Sequence, residues 1–333
     1  MTKTTQGEHL LEVRDLRTRF NTERGSLYAV DGVSFTVDSG RVLCIVGESG
    51  SGKSVTVRSL LRLIDPPGEI IGGTAFFHGQ DLLSMSKKQI AAVRGDKIAM
   101  VFQNPLTSLN PMMTVGDQIA ESLLLHRGVS KAEATREAVS LLRQVGIAAP
   151  ESRVGDYPAQ FSGGMRQRIL IAAALACRPE ILIADEPTTA LDVSIQAQIL
   201  GLLKKLQSEI NNALIMITHD LGVVASIADD VMIMYAGRIV ERAPVREIFA
   251  RPRHPYTQGL IYTVRALLDP DRPLHPIPGT PAIPLGEKKG CPFAPRCGYV
   301  QEVCRTKTPE LAPLNQDHVV ACHVLPQGSA AHA

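Results

Sequence analysis

Arg41–Val46 (RVLCIV) runs without a break into GESGSGKS, Gly47–Ser54, and from there into KSVTVRSLLRLI. An apolar run, a glycine-rich octet matching G-x-x-x-x-G-K-S/T and a helix-forming stretch, in that order, predict a buried strand, a tight loop and a helix start. The N–H groups of such a loop and the positive end of the helix dipole converge on one point, which suits phosphate oxygens. Lys53 can reach the outer phosphates, and the Ser54 hydroxyl suits Mg²⁺. A Cβ on the glycines would obstruct the backbone's approach to the anion. Gly47, Ser49, Gly50, Ser51, Gly52, Lys53, Ser54 and Thr56 are therefore the nucleotide-contact candidates.

The pattern around this loop fills in the fold. Residues 11 to 45 alternate polar and apolar positions and read as short strands joined by turns. KIAMVFQ is a further strand, and Val115 to Val145 reads as mostly helical from its three- and four-residue apolar spacing. ILIADEP, ALIMITHD and DVMIMYAG are short, nearly all-apolar runs separated by helical segments. Strands apolar on both faces and alternating with helices predict an α/β fold with a buried, mainly parallel sheet. From Pro252 prolines recur through Pro284, so the chain there is expected to be extended and turn-rich, with a boundary near Ala243 to Arg253. QGSAAHA at the end reads as a frayed tail.

Bulk properties exclude more than they select. With 44% apolar and 20% charged residues and a formal net charge of +2, the chain is ordinary globular material with no basic arm for nucleic acid. No run of about 18 apolar residues occurs, since ILIAAALAC stops at Arg178, so no segment is expected to span a bilayer. The first residues lack the basic start and apolar centre of a signal peptide, which predicts a chain that stays in the cytosol.

ILIADEP supplies the second half of a hydrolytic site. Asp185 closes an apolar strand, where its carboxylate can hold Mg²⁺ through water. Glu186 follows directly and is the candidate general base for the water that attacks a γ-phosphate. MITHD ends another buried strand with His219, aimed at the edge where parallel sheets collect ligands. These residues together point to an ATP- or GTP-binding hydrolase.

Between them lies FSGGMRQR, and with it the chain resembles the ATP-binding cassette (ABC) ATPases, whose signature is usually written LSGGQ. The family's motifs occur in its order: Gly47–Ser54, Gln103 in VFQNP, Ser162 to Gly164, Asp185 with Glu186, ALD ending in Asp192, and His219. The resemblance covers about residues 10 to 250. It implies a P-loop nucleotide-binding domain over 8–250, with a parallel sheet core, an antiparallel β subdomain and a helical subdomain at about 104–175. It further implies that Ser162, Gly163 and Gly164 clamp the γ-phosphate of ATP held by an opposing subunit. Gln103 would contact the attacking water or Mg²⁺, His219 the γ-phosphate, Asp192 the nucleotide site, and Phe20 would stack on adenine, with Tyr28 as its competitor. Phe161 and Met165 depart from the usual Leu and Gln, whereas the Ser-Gly-Gly core is intact. Because each site needs one subunit's loop and another's signature, the mechanism implies a dimer with a second polypeptide.

Two functional classes follow: the motor of a membrane transporter, or an ATPase of DNA repair or translation. About 108 residues separate Lys53 from Ser162 with no sustained heptad pattern, unlike repair ATPases with their inserted coiled coil, and a single cassette is unlike translation factors. RPRHPYTQGLIYTV, the proline-rich stretch and CPFAPRC resemble the tail of ATPase subunits of bacterial dipeptide and oligopeptide importers, as does NPLTSLNP after Gln103. That resemblance extends to about residue 323 and implies two permease subunits, a paralogous ATPase and an extracytoplasmic binding protein. It also implies a peripheral location on the cytoplasmic side of the cell membrane. Nickel or an oligosaccharide is the alternative cargo.

Four of the six cysteines crowd into residues 251–325, spaced Cys291-x5-Cys297-x6-Cys304-x17-Cys322. In a reducing compartment a metal or cluster is favoured over disulfides, although the close pairs of zinc ribbons are missing. The importer resemblance implies a 4Fe–4S cluster on these four thiols; zinc, or no ligand, is the alternative. Cys44 and Cys177 read as core residues.

Overall fold

The computed structural model describes residues 9–189, 191–269, 271–273, 275–286 and 289–325; the tail expected at 326–333 lies outside them. The strands, numbered along the chain, are β1 (Leu11–Thr22), β2 (Gly25–Val37), β3 (Val42–Val46), β4 (Gly68–Phe77), β5 (Gln80–Asp81), β6 (Ile98–Val101), β7 (Ile181–Asp185), β8 (Ala213–Thr218), β9 (Asp230–Tyr235), β10 (Arg238–Pro244), β11 (Ala312–Pro313) and β12 (Val319–Val320). The α-helices are α1 (Lys53–Leu60), α2 (Lys87–Val93), α3 (Pro105–Ser108), α4 (Val115–Arg127), α5 (Lys131–Gln144), α6 (Pro150–Arg153), α7 (Gly163–Leu175), α8 (Val193–Ile210), α9 (Leu221–Ile227), α10 (Val245–Ala250), α11 (Pro255–Leu268) and α12 (Glu302–Thr306). They fall into two compact units: residues up to Asp38 with Val42–Ser84 and everything from Thr218 onward, and Ser39–Arg41 with Met85–Ile217.

In the first unit, β2, β1, β4 and β5 form an antiparallel sheet in that order. The alternation seen in the sequence becomes a sheet with Leu11, Val13, Leu16, Val33 and Phe35 buried. A buried hydroxyl pair, Thr18 Oγ1 and Ser59 Oγ at 2.8 Å, ties β1 to α1. A second layer pairs β3 in parallel with β9, from Leu43↔Asp230 to Val46↔Ile233, and continues antiparallel through β10, β12 and β11. All five residues of β3 are buried, as its unbroken apolar sequence requires of a strand covered on both faces.

The stretch expected to be extended from Pro252 instead opens with a 14-residue helix, α11. Pro255 stands at the first helical position, where a missing N–H costs nothing, and His254 Nδ1 accepts the Tyr256 N–H at 3.1 Å. The fully buried Glu241 carboxylate accepts the N–H groups of Arg253 and His254, both at 2.8 Å, and meets His318 Nε2 at 2.8 Å. Residues on both sides of the stretch 243–253 belong to the unit that holds the phosphate loop. Past α11 the chain is irregular, as the proline spacing predicts.

In the second unit, β6, β7 and β8 run parallel, with Ile98↔Ile181 and Ile181↔Ala213 in register. The long helical stretch between β6 and β7 splits into α4 and α5 at Gly128, which takes φ +62, and Ser130 caps α5 by accepting the Glu133 N–H. Ile119, Leu142 and Ile169 are fully buried in α4, α5 and α7.

Candidate active site

The phosphate loop is shaped by what presses on it. A Cβ at Gly47 would lie 2.3 Å from the Met234 carbonyl oxygen, and one at Gly52, where φ is +98, would lie 2.1 Å from that of Ala29. Gly52 also starts α1 without any side-chain cap and with no acidic residue in the first turn, so the helix N-terminus is left for an anion. Lys53 is 5% exposed and folds its Nζ back onto the carbonyls of Gly47 and Glu48 at 2.8 and 3.0 Å. Ser51 Oγ is buried with no hydrogen-bond partner in the protein, as a loop moulded to an anion would leave it. Ser49 and Gly50 are exposed at the loop tip and Ser54 is half-buried in the first helical turn. Thr56 differs from the rest: it is fully buried and donates its hydroxyl to the Gly52 carbonyl at 2.9 Å, bracing the helix.

Phe20 is half-buried on β1, its ring edge against Gly68, while the Tyr28 N–H on β2 is donated to the Pro284 carbonyl. His219 is exposed, held between Thr218, whose Oγ1 accepts the Asp220 N–H, and Asp220, whose Oδ1 caps α9.

In the second unit Asp185 is fully buried at the end of β7. Glu186 turns the chain out of the strand with φ +48 and donates its N–H to the Ile217 carbonyl at 3.1 Å. A left-handed non-glycine residue costs on the order of 1 kcal/mol or more, a strain met at functional positions. Two donors converge on Glu186 Oε2: Gln103 Nε2 at 3.0 Å and Thr189 Oγ1 at 2.8 Å. Gln103 and Glu186 are 83 positions apart, so only the fold brings them together.

The signature begins with Ser162 as N-cap of α7, its Oγ accepting the Met165 N–H at 3.4 Å. Phe161 is buried beneath the Arg153 guanidinium, 4.1 Å from the ring centroid, and Arg166 Nε donates to the Pro158 carbonyl at 2.7 Å. The aromatic in place of the usual leucine thus fills a space closed by a cation–π contact. Gly164 abuts Ile195, and Asp192 stands exposed as the N-cap residue of α8.

Cys291, Cys297, Cys304 and Cys322 lie in the first unit: before Ala294, at the end of the turn Ala294–Arg296, in α12 and after β12. The Cys291 N–H is donated to the Cys304 carbonyl at 2.7 Å. Burial pushes the Cys291 thiol up to about 11, and the neighbouring thiols of Cys322, Cys304 and Cys297 push in the same direction. Burial likewise raises Cys297. Among the described residues no group of three or more His, Cys, Asp or Glu side chains is arranged to hold a metal ion. Cys44 and Cys177 are buried core residues.

Residues 30–189 match the family described as ABC transporter, and residues 240–304 match the one described as oligopeptide/dipeptide transporter, C-terminal region. Over 313 residues the chain is 50% identical to the oligopeptide transport ATP-binding protein OppD of Salmonella typhimurium, covering 94% of this chain and 93% of that one. The chain belongs to the ATP-binding cassette transporter family. The cassette is also 48% identical over 327 residues to the dipeptide transport ATP-binding protein DppD of Bacillus subtilis, covering 98% and 97%. Its fold matches the post-hydrolysis dimer of the ATP-binding cassette MJ0796 bound to ADP and Pi, with a TM-score of 0.64, 28% identity, and coverage of 71% of this chain and 99% of that one.

Several of the cassette's supporting residues carry no sequence motif. Thr189, three positions after Glu186, could have been suspected from its place in a turn behind the candidate base. Arg153 could not, because a lone arginine in a short helix carries no spacing signal, and Arg166, although inside FSGGMRQR, gives no hint there of its bond to the Pro158 carbonyl.

Proposed function

We propose that this cassette hydrolyses ATP to power import of oligopeptides or dipeptides, pairing with a second ATPase subunit beneath two membrane-embedded permeases fed by an extracytoplasmic binding protein. The observation that carries this reading is the pairing of both family matches in one chain, over 30–189 and 240–304. Among the described residues no helix is long and apolar enough to cross a membrane, which fits a peripheral subunit on the cytoplasmic face. No feature of the fold favours DNA repair, translation, or a nickel or oligosaccharide cargo.

The chain's own groups support each step. Lys53 Nζ exchanges the Gly47 and Glu48 carbonyls for phosphate oxygens, and the N–H groups of the loop and of the uncapped α1 start bind the remainder. Mg²⁺, when bound with ATP, neutralises charge on the β- and γ-phosphates; Ser54, Asp185 and Gln103 are the residues that would hold it, directly or through water. Glu186 accepts the proton of the attacking water as its oxygen bonds to Pγ and the bond to the β-phosphate oxygen breaks. Gln103 and Thr189 orient that carboxylate. Ser162, Gly163 and Gly164 offer a second helix N-terminus to the γ-phosphate held by the opposing subunit, with Asp192 and His219 at the same site and Phe20 against adenine.

The four C-terminal thiols are a suitable soft donor set for a 4Fe–4S cluster. A single zinc ion with bonds of about 2.3 Å would draw them into a tight tetrahedron. The spacing of the four cysteines lacks the close pairs of a zinc ribbon, which supports the cluster over zinc. Iron, sulfide and zinc analysis of anaerobically purified protein tests this, and zinc alone would overturn it.

For the main reading the decisive measurement is ATP hydrolysis by the cassette co-purified with its membrane partners, with and without peptide-loaded binding protein. Peptide-stimulated turnover is expected. Turnover indifferent to peptide but stimulated by nickel or an oligosaccharide would sink it.

A further inference from the structure

Glu48, the second residue of the phosphate loop, is held from outside the loop at both its backbone and its side chain. Its N–H is donated to the Tyr256 hydroxyl on α11 at 3.0 Å. Its carboxylate receives both arms of Arg296, Nη1 to Oε2 at 2.7 Å and Nη2 to Oε1 at 3.1 Å. Such a two-pronged pair fixes direction as well as distance. Arg296 lies directly before Cys297. Its side chain is 5% exposed, and its fork is oriented by Nε donating to the Pro278 carbonyl at 2.7 Å and by the Tyr235 hydroxyl at 3.3 Å. The same Glu48 supplies the carbonyl that accepts Lys53 Nζ at 3.0 Å and the Ser51 N–H at 3.2 Å. A continuous set of bonds therefore runs from the cysteine-bearing turn to the lysine of the nucleotide site.

We propose that Arg296 is a positioning residue of the nucleotide site, through which the order of the cysteine-bearing loop sets the affinity for ATP. The inference rests on the reading of Gly47–Ser54 as an ATP site. Two effects act together. Arg296 holds the loop in one conformation before the nucleotide arrives, so less ordering is required on binding. It also neutralises a carboxylate that would otherwise stand unpaired beside a site for a polyanion.

The test is binding of a fluorescent ATP analogue to full-length protein, with hydrolysis and melting temperature measured in parallel. Arg296→Met is expected to weaken ATP binding about tenfold, with a rise in KM exceeding any fall in kcat. Arg296→Lys keeps the charge without the fork and should lose less, about threefold; it also serves if Arg296→Met does not fold. Adding Glu48→Gln to Arg296→Met removes the unpaired charge and should restore part of the affinity. Cys297→Ser should weaken ATP binding in the wild-type background and add little to Arg296→Met. Unchanged affinity in Arg296→Met and Arg296→Lys, or a loss confined to kcat, would overturn the positioning role. An effect of Cys297→Ser equal in both backgrounds, or absent from both, would overturn the link to the cysteine loop. Wild-type protein that fails to bind the analogue would instead overturn the reading of the ATP site itself.

Discussion

The phosphate loop and the cysteine-bearing loop lie in one unit and are joined by the Arg296–Glu48 ion pair, yet they are specified in opposite ways. The phosphate loop is local: eight consecutive residues carry its glycines, lysine and hydroxyls, and its own backbone N–H groups form the proposed anion site. The cysteine loop is assembled from residues 291 to 322, drawn together by the pairing of β10 with β12 and by the Cys291 N–H donated to the Cys304 carbonyl. Local specification makes a motif readable and leaves it dependent on neighbours for rigidity. Arg296 and Tyr256 supply that rigidity from the nonlocal region.

The comparison can be broken from either side. On the catalytic side the largest effect is expected from Glu186→Gln, which should cut turnover about a thousandfold while ATP binding persists, the scale of losing a general base. Single-turnover kinetics with a trapped ATP-bound dimer would check it. Turnover at the wild-type rate would remove Glu186 from the role of base.

Next, Gly52→Ala forces a Cβ to 2.1 Å from the Ala29 carbonyl at a residue with φ +98. Steric strain of this kind should cost about 3 kcal/mol or more, read as a fall in the denaturant midpoint. A neutral result would mean that the loop tolerates movement and is less rigidly moulded than its contacts indicate.

On the nonlocal side, burial lowers the His254 imidazole from its ordinary 6.5 to about 4, against the opposing pull of Glu241. A depressed folded value means that stability is fully present above pH 6.5. It is lost as the pH falls from 6.5 towards 4, because the unfolded chain takes up the proton first. The full loss is about 3 kcal/mol. Protonation of Nδ1 would also end its acceptance of the Tyr256 N–H, so the anchor of α11 loosens in the same direction. Urea unfolding between pH 7 and 4.5, with His254→Asn as control, would show whether the slope diminishes in the variant. An identical slope would assign the acid sensitivity elsewhere.

The smallest effect sharpens the catalytic cluster. Thr189→Val removes a donor to Glu186 Oε2 and should lower kcat about fivefold, the worth of one hydrogen bond. Loss of KM alone would show that Thr189 serves the nucleotide rather than the base.

Much of the fold was legible because apolar runs are the direct consequence of strands buried on both faces. β3, β7, β8 and β9 all fall within the segments that their composition marks. The helix α11 was less legible, since prolines flanking a helix and prolines within an extended segment look alike until a cap such as His254 is seen. The division into compact units was hidden for another reason. The first unit is assembled from separate stretches of chain, and bonds such as those of Glu241, whose partners lie 12 to 77 residues away, leave no local pattern.

By itself, then, the sequence determined the phosphate loop, the Asp185–Glu186 pair, the signature and the family they spell, because each is a short run whose spacing dictates its backbone. Only the tertiary structure decided that Gln103 and Thr189 share one oxygen of Glu186, and that Arg296 grips Glu48. A hydrogen bond between residues 83 or 248 positions apart leaves no periodic trace in the chain. It exists because two separately specified surfaces are brought to within 3 Å of each other by the packing of everything between them.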